Sequence, residues 1–320
     1  MPDIVVLREV THGMPIEEYA DAIRERLPDR DVAVARTPER ERELVAEAPV
    51  ATGVRIDESL LDAGDALELF ACLYAGVDHV PVQACHDHGV AVTTASGVHG
   101  PNMGEHAVGA IIAFSRQFPR AWRQQERREW RHMQSRELSG DTVTVVGMGA
   151  IGQSVIECLS GFDVETIGVR RSPEKGSPAD ETLGPAQLHD ALAETQYLVL
   201  ACPLTDETRG MIGREELYTL PPEAVLVNLA RGPVVDTDAL VHALRGQYIR
   251  GAQLDVTDPE PLPEDHPLWG LDNVFITPHC SGHTPAYYER NADILAENVR
   301  KAAETGSYDD LRNQVHPAKV

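Results

Sequence analysis

The chain has 320 residues, 42% of them apolar and 25% charged, with 51 acidic side chains against 28 basic ones and a formal net charge of −23. That length supports two domains with separate cores, and no window holds the roughly 20 continuous apolar residues that a bilayer-spanning helix needs. The negative balance argues against general nucleic-acid binding, which runs on phosphate neutralisation by basic side chains.

The only lysines are Lys175, Lys301 and Lys319. A dense acidic surface repels itself in dilute buffer, and multimolar salt, with a Debye length of about 3 Å or less, screens that repulsion. The composition therefore points to an enzyme of a salt-loving organism. The N-terminal stretch "MPDIVVLREVTHGM" lacks the basic start, apolar run and small-residue cleavage site of a signal peptide. Cys72, Cys85, Cys158, Cys202 and Cys280 are scattered, with no C-x-x-C pair. Free thiols in a reducing cytoplasm are the expected state.

In chain order, residues 3–7 read as a first strand. The run "LELFACL" (67–73), a helical stretch near 80–88 closed by Gly89, and "VAVTT" (90–94) continue a βαβ rhythm. That rhythm predicts a parallel sheet covered by helices. Residues 101–131 read as largely helical, with Pro101 at the first helical position and Pro119 kinking or breaking the segment. Its tail carries Arg116, Arg120, Arg123, Arg127, Arg128, Arg131 and Arg136 with Trp122 and Trp130. Arginine and tryptophan are enriched at protein interfaces, so a subunit-contact arm over 101–136 is favoured over a nucleic-acid patch.

A second βαβ series opens with a strand at 142–146, the turn "GMGAIG", and a helix carrying Ile151, Val155 and Leu159 on one face, capped by Gly161. Strands are expected near 164–169, 197–201, 224–229, 250–254 and 273–277. Asp236 should cap a helix over 237–245, and the chain should end in a helix over about 285–304 and a polar tail.

Gly147, Gly149 and Gly152 match G-x-G-x-x-G between a strand and an amphipathic helix, with Ala150 and Ile151 inside the turn. Gly147 permits the tight turn, Gly149 lets backbone N–H groups approach a pyrophosphate, and Gly152 lets helix pack on strand. The anion then sits at a helix N-terminus. After the second strand an acid would bond the ribose 2′-OH of NAD, whereas arginine accommodates the 2′-phosphate of NADP. Here Arg170, Arg171 and Ser172 follow the strand, with Lys175 nearby, so NADP(H) is the preferred cofactor and NAD(H) the second.

Ligands of open parallel sheets bind beyond the carboxyl ends of the strands. Arg231, Asp255, Glu260 and His279 all follow strands there. An arginine can hold a substrate carboxylate in a bidentate pair. A histidine can give a proton to a carbonyl oxygen as hydride arrives, and a glutamate can orient it and raise its pKa. That set fits hydride transfer to a 2-oxo acid. "HCSGH" (279–283) and "CHDH" (85–88) lack the paired spacing of a closed zinc site, so no metal is expected.

The blocks "VVGMGAIGQS", "CPLTDETRGMI", "LVNLARGPVVDTDAL", "AQLDVTDPEPLPEDHPLWGLDNVFITPH" and "YAGVDHV" resemble the D-isomer-specific 2-hydroxyacid dehydrogenase family, in the family's order along nearly the whole chain. The arginines after the second strand resemble its NADP-preferring 2-ketoacid reductase branch, and the acidic composition its haloarchaeal members. The resemblance implies two Rossmann-like doubly wound parallel-sheet domains. One is a flavodoxin-like substrate domain (1–100 with 284–320), the other a dinucleotide-binding domain (101–283). It implies Arg231, Glu260 and His279 as the catalytic trio and Asp255 on the nicotinamide amide. The Tyr74, Ala75, Gly76 and Val77 turn would meet the substrate carboxylate, with Arg231 and His279 completing the substrate contacts. Cys202, Pro203, Leu204, Thr208, Leu229 and Ala230 would line the cofactor, and Met103 would border the nicotinamide. Two departures stand out: Arg170 replaces the usual acid, and His79 follows Asp78 in the substrate-loop block. The implied activity is reduction of a 2-oxo acid to a D-2-hydroxy acid by a cytoplasmic homodimer, with glyoxylate or hydroxypyruvate reduction as the nearer alternative. A nicotinamide-sensing corepressor is the non-enzymatic one. A formate dehydrogenase lacks the partner glutamate that Glu260 supplies here.

Overall fold

The first five strands are short runs with almost every side chain buried, as a parallel sheet covered on both faces requires. In a computed structural model of the chain, which describes residues 1–317 except 12 and 78, they alternate with four helices. The order is β1 (Ile4–Val6), α1 (Ile16–Arg26), β2 (Val32–Val34), α2 (Pro38–Val45), β3 (Val50–Gly53), α3 (Glu58–Ala63), β4 (Leu69–Cys72), α4 (Val82–Asp87) and β5 (Ala91–Thr93). Local chemistry fixes the helix starts. The Thr37 hydroxyl accepts from the Arg40 N–H at 3.2 Å and the Asp57 carboxylate from the Leu60 N–H at 2.9 Å, each satisfying a donor the helix cannot. The strands pair in parallel in the order β2-β1-β3-β4-β5. This is the flavodoxin-like arrangement, with an apolar core on each face of the sheet.

The middle of the chain builds a second sheet. Its elements are α5 (Gly100–Ser115), α6 (Phe118–Glu126), β6 (Thr142–Val146), α7 (Ala150–Leu159), β7 (Glu165–Val169), β8 (Glu181–Leu183), α8 (Leu188–Ala193), β9 (Tyr197–Leu200), α9 (Arg214–Thr219), β10 (Val225–Asn228), α10 (Thr237–Arg245), β11 (Gly251–Leu254) and β12 (Val274–Ile276). The order is β12-β11-β10-β9-β6-β7-β8, all parallel. It reverses direction at β6, where open α/β sheets bind ligands. Helices α5 and α7 approach closely because Gly104 stands where a Cβ would lie 2.9 Å from the Ser154 carbonyl oxygen.

The chain then returns to the first sheet through α11 (Tyr287–Thr305), which packs on α1, and β13 (Gln314–Val315), antiparallel to β5. Two compact units result. One holds Met1–Val98 and the chain from His283 onward, the other His99–Gly282.

The 101–131 segment breaks beside Pro119, as its sequence predicts. Gln117, at φ 58°, separates α5 from α6, and Pro119 sits in the first turn of α6, where its missing N–H costs nothing. Two other expectations need correction. The C-cap of α7 is Ser160, one residue before Gly161. The polar tail contains β13, whose two residues complete a sheet edge.

Candidate active site

At the β6–α7 turn each glycine answers a different steric demand. Gly147 has φ +101°, and a Cβ there would lie 2.5 Å from the Cys202 nitrogen. A Cβ on Gly152 would lie 2.0 Å from the Gly147 carbonyl oxygen, so helix and turn touch through bare backbone. Gly149 faces open space and caps α7 with no side-chain hydrogen bond. The first N–H groups of α7, at Ala150 and Ile151, are thus left to an anion on a positive helix end. A cleft of about 550 Å³ opens from this turn, bordered by Gly147, Gly149, Arg170, Arg171, Ser172 and Lys175. Cys202, Pro203 and Thr208 line its other side. The shape and donors fit a dinucleotide.

The cationic side of the cleft follows β7. The Arg170 N–H extends the ladder to the Leu183 carbonyl at 3.0 Å, and its guanidinium donates to the Gly176 carbonyl. Arg171 is exposed. Opposite stands the 203–208 turn, closed by the Thr208 hydroxyl donating to the Pro203 carbonyl at 2.6 Å. Leu204 points instead into the neighbouring core. Sequence reading missed Glu207, Thr205, Met211 and Leu188, which also line the cleft. Hydrogen bonds from the Thr205 hydroxyl and its own backbone N–H hold the Glu207 carboxyl below its usual range, and Arg171 adds to the effect.

Beyond β10 the chain is tied down by Asn228. Its side-chain oxygen accepts from the Ala230 N–H at 3.0 Å and its amide donates to the Arg231 carbonyl at 3.2 Å. Leu229 and Ala230 are buried in the cores, whereas the Arg231 side chain is exposed. Its guanidinium donates to the Ala230 carbonyl at 2.7 Å, and among the described residues no carboxylate pairs with it. At Gly232 the backbone presses against the loop after β11, where a Cβ would lie 1.9 Å from the Thr257 oxygen. That contact brings the Arg231 loop against the loop that carries Glu260.

Asp255, at the end of β11, is 2% exposed. It accepts from the Thr277 hydroxyl at 2.6 Å and from the Cys280 and Ser281 N–H groups at 3.0 Å each. Burial alone would raise its pKa, but these donors outweigh it and hold the carboxyl below its ordinary value. The bonds fix the turn bearing His279, whose φ is 48° and whose N–H donates to the Asp255 carbonyl at 2.8 Å. His279 Nδ1 lies 2.9 Å from Glu260 Oε2, and Glu260 Oε1 accepts from the Thr257 N–H at 2.9 Å. That pairing leaves the outer ring nitrogen of His279, Nε2, free of the carboxylate and chemically able to exchange a proton.

Met103 is buried on α5 in the core beneath the sheet. In the other unit, Tyr74, Ala75, Gly76 and Val77 follow β4, and the N–H groups of Ala75, Gly76 and Val77 have no hydrogen-bond partner among the described residues. The Tyr74 ring meets His79 edge-on at 5.4 Å, and the His79 ring bonds the Val54 carbonyl at 2.8 Å. Among the described residues no group of three or more His, Cys, Asp or Glu is arranged to hold a metal, and no helix is long and apolar enough to cross a membrane.

Residues 108–281 match the family described as D-isomer specific 2-hydroxyacid dehydrogenase, NAD binding domain. A D-3-phosphoglycerate dehydrogenase of Methanocaldococcus jannaschii is 32% identical over 90% of this chain and 56% of its own length. The chain thus spans about half the length of several curated relatives it matches. A glyoxylate reductase of Thermofilum pendens is 35% identical over 77% of this chain and 75% of its own. Among solved structures, a D-isomer specific 2-hydroxyacid dehydrogenase of Xanthobacter autotrophicus, in complex with NADPH and MES, is 29% identical. It covers 100% of this chain and 99% of its own with a TM-score of 0.81. The family match over residues 108–281 and the 35% identity to a relative covering 77% of this chain agree with its two parallel-sheet α/β units, and the chain belongs to the D-isomer specific 2-hydroxyacid dehydrogenase family.

Proposed function

We propose that this protein reduces 2-oxo acids to D-2-hydroxy acids, reversibly, with NADPH preferred to NADH. The observation that carries the reading is the 2.9 Å pairing of His279 Nδ1 with Glu260 Oε2, on a loop pressed against the one bearing Arg231, with which no carboxylate among the described residues pairs. His279 donates the proton to the substrate carbonyl oxygen. Glu260 holds the ring and stabilises its charged form, and Arg231 receives the substrate carboxylate. In the first unit the N–H groups of Ala75, Gly76 and Val77, without partners among the described residues, form a turn able to bind a carboxylate. Asp255 accepts from the nicotinamide amide. Bound nicotinamide dinucleotide supplies the hydride. Arg170, Arg171 and Ser172, with Lys175, seat the 2′-phosphate, and the absence of an acid at the end of β7 favours that anion over a bare ribose.

The same reading makes the protein a cytoplasmic homodimer joined through the 101–136 arm and adapted to high salt, like the haloarchaeal members its composition resembles. Trp130, 94% exposed beside arginines, is the arm's feature that calls for a partner. Glyoxylate or hydroxypyruvate reduction is the second reading, favoured by the relatives named glyoxylate reductases. A nicotinamide-sensing corepressor would need no proton donor, and the His279–Glu260 pair speaks against it.

The test is oxidation of NADPH and NADH with glyoxylate, pyruvate and branched 2-oxo acids at high salt. His279→Ala should cut turnover roughly 10²–10⁴-fold, the usual worth of a general acid, with NADPH binding kept. Residual turnover above about a tenth of the wild type would remove His279 from this role.

A further inference from the structure

Behind the Asp255 turn lies a partly buried polar chain that the proposed chemistry does not use. His106 on α5 places its Nε2 3.1 Å from the Gln253 side-chain nitrogen and 3.4 Å from the Thr277 hydroxyl. Gln253, fully buried in β11, also donates to the Thr277 hydroxyl at 3.0 Å. Thr277 spends its single proton on Asp255 Oδ1 at 2.6 Å. The donors and acceptors therefore run one way. Gln253 gives one N–H to His106 and the other to Thr277, and Thr277 gives its hydrogen to Asp255. His106 Nε2 must then be a bare acceptor, with the ring proton on Nδ1. The Gln253 Oε1 atom is buried with no hydrogen-bond partner, so the amide is held in this sense by His106 and Thr277 alone.

We propose that His106 is a positioning residue: with Gln253 and Thr277 it forms a brace that orients the Asp255 carboxylate and, through it, the 279–281 turn. The brace acts only while the His106 imidazole is neutral. A proton on Nε2 would set two donors face to face across 3.1 Å. The amide would then turn its free oxygen toward His106, removing the N–H that Thr277 accepts. The Thr277 hydroxyl and the Asp255 carboxylate would swing toward the new cation and loosen the Cys280 and Ser281 N–H bonds. Burial lowers the His106 pKa, and Asp255 partly offsets that, being the one charge that acts on the ring among the described residues. The other elements packed on α5 include α7, which brings Ser154 and Cys158 against Gly104, and also β10 and α6. The neutral form thus holds through the neutral pH range and is lost below the ordinary histidine value of about 6.5.

This inference rests on the proposed role of His279, and its test separates the two. In the pH profile of kcat/KM for 2-oxo acid reduction, the wild type should lose activity roughly threefold to tenfold on the acid side, the worth of one neutral hydrogen bond. His106→Gln, whose side-chain oxygen can stand in for Nε2 as acceptor, should keep neutral-pH activity and flatten that acid limb. His106→Leu should lower activity at all pH values while leaving NADPH binding within about threefold. Independently of turnover, ¹⁵N-histidine spectra of the free protein should show His106 as the Nδ1–H tautomer, titrating below the ordinary histidine value. An unchanged acid limb in His106→Gln, or an Nε2–H tautomer, would overturn the brace, whereas an active His279→Ala would overturn the proposed function instead.

Discussion

The contact at Gly232 offers a test of the geometry that needs no assumption about substrate. A Cβ at this position would lie 1.9 Å from the Thr257 oxygen, 2.1 Å from its carbonyl carbon and 2.6 Å from the Asp258 nitrogen. All three atoms are backbone, so no side-chain rotamer can relieve the clash. Gly232→Ala must separate the two loops by about 1.5 Å to restore ordinary contact. Overpacking of this kind costs about 1–3 kcal/mol, which for a unit of this size lowers Tm by about 3–9 °C. The larger effect should fall on activity. The shift is parallel to the line joining the Arg231 loop to the Glu260 loop, and a displacement of about 1 Å at a reacting group can cost roughly 10²-fold. Scanning calorimetry and steady-state kinetics on the same preparation give both numbers, and NADPH titration checks that the cofactor cleft survives. If Gly232→Ala melts within a degree of the wild type and keeps kcat/KM within about twofold, the two loops do not touch as described.

Three further outcomes are expected. Asp255→Asn should strand one of the donors now held by the carboxylate, costing about 1–3 kcal/mol near neutrality. Because the Asp255 pKa is held down, that stability is complete above the unfolded value of about 3.9 and fades as pH falls through the folded one. The Tm gap between wild type and Asp255→Asn should therefore close in acid, and a gap independent of pH would refute the assignment. Glu260→Gln keeps the shape of the His279 contact but removes its charge, and should reduce kcat roughly 10- to 100-fold with KM for NADPH unchanged; an equal loss in both would point to a folding defect. For the cofactor, Arg170→Asp and Arg171→Ala should weaken NADPH far more than NADH in equilibrium titrations run in multimolar KCl. Equal weakening would sink the phosphate assignment, and a fall of Tm with rising KCl would do the same for the salt adaptation.

Long elements with local chemical signatures were legible in the sequence. The Gly147–Gly152 turn, the Asp236 cap of α10 and the chain order Arg231, Glu260, His279 each depend on neighbours a few residues away, or on strand ends that apolar runs announce. The helices and strands between residues 16 and 61 were not. β2 is three residues long and β3 ends in glycine, and α2 reads "PERERELV", with an apolar face of two residues. Tertiary burial decides such segments, because their own periodicity is too short to register. The brace on Asp255 was invisible for a different reason. His106 and Gln253 lie 147 residues apart, and a lone glutamine inside an otherwise apolar strand carries no hint of its partner. Glu207 was missed because its turn faces Arg171 only once β7 and β9 flank β6.

The charge of the protein bears on how the cofactor cleft recognises an anion. A chain of net charge −23 repels phosphate at long range, so steering by the overall field works against binding in dilute buffer. In multimolar salt the Debye length shrinks to about 3 Å or less, and both the repulsion and any attraction beyond contact range disappear. What survives is hydrogen bonding at contact distance. That favours the planar guanidinium fork, which holds phosphate bidentately and is weakly hydrated, over the ammonium, which works as a point charge. The lysine-poor composition and the pair of arginines after β7 are what that constraint would favour in the proposed salt-adapted enzyme. Arg170 has its guanidinium already folded against the Gly176 carbonyl, whereas Arg171 is exposed at the cleft with Glu207 across from it. Under the proposed NADPH reading, Arg171 is the freer of the two to close on a 2′-phosphate, and Arg170 the one that fixes the wall against which it would close.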